Sequence, residues 1–63
     1  MDNVVPFRYV AARVEVAEAG GEWFVRVTED GQELTRSFEL ESFALSYAEG
    51  QRLRLGLHTI TRM

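Results

Sequence analysis

Two turn-forming pairs, Gly20-Gly21 and Asp30-Gly31, are separated by eight intervening residues, with apolar and polar residues alternating around each. Both pairs suit two-residue hairpin turns, in which the backbone needs positive φ. Period-two alternation is the mark of a half-buried strand. Together they predict three antiparallel strands in a meander, with the strand that carries Trp23 in the centre.

The turns also predict the register. Around Gly20-Gly21, Ala19 faces Glu22, Val16 faces Val25, Val14 faces Val27 and Glu15 faces Arg26. Around Asp30-Gly31, Val27 faces Leu34, Val25 faces Arg36, Trp23 faces Phe38, Arg26 faces Thr35 and Phe24 faces Ser37. Apolar residues meet apolar ones, and a slip of one residue would turn each valine to the wrong face. The first strand is expected over Arg8 to Ala17, with Val10, Ala12, Val14 and Val16 inward. Arg36 is the misfit, because it falls on the apolar face. Its stem can snorkel to solvent, and this is preferred to a bulge because Phe38 returns in phase.

After Phe38 the period changes. Leu40, Phe43, Ala44, Tyr47, Ala48, Gln51 and Leu55 recur at three- and four-residue spacing, as one stripe of a helix. Glu39 and Glu41 near its start and Arg52 and Arg54 near its end suit the helix dipole. Gly56 is the expected stop, followed by apolar Leu57. Residues 52–57 also alternate with period two, so a strand starting after Gly50 competes. Helix propensity favours the longer helix, since none of residues 51–55 is β-branched. Residues 57–62 (LHTITR) are strand-like in either case. The sheet's apolar face needs a cover, and this helix is the only amphipathic one available. The fold class expected is α+β: a three-stranded antiparallel meander packed on one helix (β-β-β-α), with a possible short C-terminal fourth strand.

A chain of 63 residues makes one domain, here residues 1–63 with 1–7 as an arm in which Pro6 disfavours an interior strand. Such a chain buries only about 60% of its unfolded surface. With no Cys there is no disulfide and no thiolate zinc site. A domain this small and unstapled is a candidate for dimerisation. No basic n-region or membrane-length apolar run is present, so a soluble cytoplasmic protein is expected.

The net charge of −3 is unevenly spread. Residues 1–14 set Arg8 and Arg13 against Asp2 (+1), residues 15–49 set nine acids against Arg26 and Arg36 (−7), and residues 50–63 carry Arg52, Arg54 and Arg62 alone (+3). All seven basic residues are Arg, as codon bias in a GC-rich genome would produce. An acidic centre argues against binding nucleic acid as the main role, because that binding needs cations that neutralise phosphates.

Catalytic chemistry finds few parts. His58 is the only His and has no metal-ligand spacing around it. No serine sits in a G-x-S-x-G elbow, and the glycines form no phosphate loop. Glu39 and Glu41 are explained by a helix start. No enzyme, metal or cofactor is expected. The surface that invites attention is the sheet's outer face, with Arg13, Glu15, Phe24, Arg26, Thr28, Glu33, Thr35 and Ser37. Arg and Thr can read base edges and Phe24 can stack on a base, although Glu15 is set to hold Arg26. The candidate interaction residues are therefore Arg13, Phe24, Arg26, Thr28, Thr35, Arg52 and Arg54. They point to a non-enzymatic module that contacts itself, as a homodimer, or a protein partner. For self-contact, the strand Leu34 to Phe38 or the segment Leu57 to Arg62 offers an edge for pairing with its twin. Nucleic-acid binding through the open face and the basic C-terminal end is the alternative.

The chain also resembles short bacterial proteins of unassigned activity. The residues that carry the likeness are the N-V-V-P-F arm (Asn3 to Phe7), the G-G-E-W-F-V-R-V hairpin (Gly20 to Val27) and the segment S-F-E-L-E-S-F-A-L-S-Y-A-E-G-Q-R-L-R-L-G-L (Ser37 to Leu57). In topology, through Arg36-Ser37-Phe38 and Ala44, it is similar to the arm-type DNA-binding domains of phage integrases and to HicB-type antitoxins. The lack of Lys and the acidic balance depart from the integrase pattern.

Overall fold

The computed structural model describes residues 12–63. The expected arm over residues 1–7 and the first strand's residues 8–11 lie outside them. Strands β1 (Arg13–Ala19), β2 (Glu22–Glu29) and β3 (Gln32–Phe38) are followed by helix α1 (Glu41–Leu55) and a two-residue strand β4 (Thr61–Arg62). The sheet order is β3-β2-β1-β4.

Both hairpins form as the turn pairs dictate. Gly20, Gly21, Asp30 and Gly31 all have positive φ, at 61°, 84°, 54° and 78°. This is the backbone of a turn that matches the twist of two antiparallel strands. The β1–β2 and β2–β3 registers are those expected, pair for pair: Val14 with Val27, Glu15 with Arg26, Val25 with Arg36 and Trp23 with Phe38. β1 continues two residues beyond the expected end at Ala17, right up to the turn. No bulge interrupts β3, so Arg36 stays on the helix-side face. Its guanidinium lies 5.4 Å from the centre of the Tyr47 ring, where the ring face attracts the cation while the head reaches solvent.

The core consists of Val14, Val16, Val25 and Val27 from the sheet and Ala44 and Ala48 from the helix, with Trp23, Phe38, Leu45, Tyr47, Leu55, Leu57 and Ile60 packed around it. Two expected members of the helical stripe are not covered: Phe43 is 59% and Leu40 52% exposed. The reason is rotation. Ala44 and Ala48 have no bulk, so the helix seats on them and brings its backbone close to the valines. At about 100° per residue, Phe43 then lies far round the flank, while Leu45 turns partly inward. Leu34, expected inward, is 52% exposed because α1 sits over β1 and β2 and leaves the outer part of β3 bare.

α1 runs through Gly50 to Leu55, in agreement with the longer helix. It closes with the Gly56 N–H donating to the Leu53 carbonyl (3.2 Å) and the Leu57 N–H donating to the Arg52 carbonyl (3.0 Å). Gly56 stands at φ 70°, the left-handed closure that glycine provides without strain. The two helix glycines thus predict opposite effects. Gly50 is exposed with open space where a Cβ would go, so Gly50→Ala should stabilise by about 1 kcal/mol through helix propensity. Gly56→Ala should destabilise by about 1 kcal/mol because alanine resists that φ. Urea unfolding of the two variants checks both signs.

The fourth strand is shorter than residues 57–62 suggested. Thr61 pairs with Glu15 and Arg62 with Val16, parallel to β1, and the Met63 N–H extends the pairing by donating to the Val16 carbonyl (2.8 Å). Arg62 faces the helix side. It bonds Glu41 at the start of α1 at 2.7 Å and lies 5.9 Å from the centre of the Trp23 ring.

Candidate functional site

The register gathers five of the seven candidate residues on the open face of the sheet. Arg13 stands beside Thr28, Arg26 between Glu15 and Thr35, and Phe24 between Ala17 and Ser37. Arg52 and Arg54 are not with them, because α1 packs on the opposite face.

The open face is less bare than its polarity suggests. Glu15 is only 7% exposed, and the Arg26 Nε–H donates to its carboxylate at 2.7 Å. Phe24 is half-buried, not an exposed aromatic as its outward position suggested. With Glu15, Ala17, Arg26, Thr35 and Met63 it lines a shallow pocket of about 260 Å³. Met63 enters because β4 pairs with β1, a placement that two paired residues cannot signal in a sequence. The Thr28 hydroxyl is buried without a hydrogen-bond partner among the described residues.

Electrostatics follow the pairs. The Arg26 hydrogen bond holds the Glu15 carboxyl below the usual glutamate range, against the opposing effect of burial. Arg52 does the same for Glu49 from one turn away, binding both carboxylate oxygens while donating to the Leu57 carbonyl at 2.9 Å. Arg54 reaches across to Glu29 in β2 at 3.0 Å. A carboxyl whose pKa is lower in the fold binds fewer protons folded than unfolded, so stability rises with pH through that range. Stability should therefore hold above the ordinary glutamate pKa of about 4.5. It should be lost as pH falls through the lower folded values. Glu15→Gln should flatten that acid limb, as read from urea midpoints taken between pH 7 and pH 3.

Among the described residues no three His, Cys, Asp or Glu side chains converge to hold a metal, and His58 lies exposed in the bend after α1. Among the described residues no helix is long and apolar enough to cross a membrane.

A second surface is the outer edge of β3, the strand that the sequence already offers as an edge for pairing with its twin. Among the described residues no strand pairs with it, and Gln32 to Ser37 are all exposed. Beside it runs the flank of α1. Tyr47 there packs on Phe38 with ring centres 5.5 Å apart, and Phe43, one turn earlier, continues the same side. The signal for this edge was present in the strand order of a meander, whose third strand has one neighbour until something joins it.

Compared with family models, with curated proteins and with solved structures, the chain matches none.

Proposed function

We propose that this protein is a small interaction module without catalytic chemistry, and that it works by associating with a second copy of itself. The observation that carries this reading is the β3 edge, unpaired among the described residues, with apolar Leu34, Phe43 and Tyr47 alongside. An unpaired strand edge is a template for another strand, and exposed apolar surface beside it adds burial to hydrogen bonding. The arginines favour this reading over phosphate binding. Arg26, Arg52, Arg54 and Arg62 each hold a carboxylate of the same chain, so a phosphate would have to displace a partner already in place.

Light scattering and sedimentation across micromolar to millimolar concentration test the proposal. The expected result is a shift from monomer to dimer mass as concentration rises. A strict monomer throughout would overturn it. Tight binding to duplex DNA at low salt, where phosphate attraction is greatest, would redirect it toward nucleic acid.

A further inference from the structure

We infer that two copies join β3 to β3, antiparallel and centred on Thr35, into one continuous eight-stranded sheet with both helices on the same face. This rests on the self-association proposed above and specifies its surface.

The geometry begins at the Asp30-Gly31 turn. A two-residue hairpin makes its flanking pair, Glu29 and Gln32, a hydrogen-bonded pair. Such pairs alternate along an antiparallel ladder. Gln32, Leu34, Arg36 and Phe38 therefore spend their backbone N–H and C=O groups on β2, while those of Glu33, Thr35 and Ser37 point outward. These three residues are the edge available to a partner.

A twin strand related by a two-fold axis is constrained further. Helix-side residues must stay on the helix side, so each pair of facing residue numbers sums to an even number. Centring on Glu33 sets two carboxylates face to face, and centring on Arg36 sets two guanidinium groups face to face. Like charges in that position are destabilising. Centring on Leu34 or on Ser37 leaves at least one of the three outward residues without a partner from the other β3. Centring on Thr35 pairs Thr35 with its twin and Glu33 with Ser37 of the second copy. Every outward backbone group of β3 is then used, and no like charges stand directly opposite. On the helix side, Leu34 lands opposite Arg36, and the bare strip of β3 receives its cover. The Phe43 and Tyr47 flanks of the two helices then face each other across the seam. A two-fold contact of this kind is self-complementary and closed, so it stops at the dimer.

Thr35→Pro tests the edge directly. It removes an N–H that points away from β2, a substitution an edge strand tolerates, so the hairpin should keep its circular dichroism and cooperative unfolding. The dyad makes one substitution remove two hydrogen bonds, so the dimer dissociation constant should rise at least about tenfold.

Cysteine variants in this cysteine-free chain test the register without relying on proline. Under mild oxidation Thr35→Cys should form a covalent dimer, because paired Cα atoms sit about 5.5 Å apart, within disulfide reach. Glu33→Cys and Ser37→Cys should each crosslink poorly alone, being about 13 Å from their own copies by strand rise, yet should crosslink when mixed. A dimer that Thr35→Pro leaves intact, or one whose Glu33→Cys variant crosslinks to itself as readily as Thr35→Cys does, overturns this interface while self-association stands. A strict monomer overturns both.

Discussion

Val25→Ala is expected to lower the free energy of unfolding by about 2 kcal/mol. Val25 is completely buried, at the centre of β2, with Val16 on one side and core residues of α1 above it. Truncation removes two methyl groups, each worth roughly 0.8 kcal/mol or more in transfer. It also leaves a void that a close-packed layer of valines over alanines fills only in part. A domain of 63 residues holds roughly 3–9 kcal/mol in total, so this one change removes a large share. Leu53→Ala, on the exposed side of α1 at 63% exposure, should change stability by less than about 0.5 kcal/mol. Denaturant unfolding at neutral pH compares the two. Equal effects would mean that the valine layer is not the core.

Ala48→Leu is expected to cost about 1–3 kcal/mol even though leucine is an excellent helix former. Ala44 and Ala48 are fully buried, and their small size lets the α1 backbone approach the valine face. A leucine there must lift the helix or force neighbours from their rotamers. Helix content by circular dichroism should be retained while the unfolding midpoint falls, which separates overpacking from loss of helix. A rise in the midpoint would show that the layers have space between them, contrary to the packing described.

These two substitutions act where pattern and packing agree. Gly20-Gly21 and Asp30-Gly31 each place their flanking residues in pairs, so both registers were legible to the residue, including the Glu15–Arg26 pair and the misplaced Arg36. The helix boundaries were legible for similar reasons. Propensity carried α1 through residues 51–55, and Gly56 met the closure it suits.

The candidate site was legible only in part. The register placed Arg13, Phe24, Arg26, Thr28 and Thr35 on one face, but not the burial of Glu15 or the half-burial of Phe24. β4, whose Thr61 pairs with Glu15, and Met63, which joins Phe24 in lining the pocket, arrive from far along the chain. The cations could be counted by segment, but most of their partners could not be read. Arg54 finds Glu29 across 25 residues and Arg62 finds Glu41 across 21, distances over which a charge pattern says nothing about contact.

What the sequence determined by itself, then, was everything enforced over a few residues: turn type, strand register, and where the helix stops. Tertiary structure decided how the helix is rotated, where the last two paired residues dock, and how much of β3 the helix covers. The physical reason is the range of the forces involved. Backbone sterics in a turn and the period of a strand act between neighbours. The seat of a helix depends on which small side chains allow the closest approach, and Phe43 is exposed because Ala44 and Ala48 provided it. The bare outer part of β3 on the helix side has the same origin, since α1 settles over the valines of β1 and β2 and reaches the third strand through Tyr47.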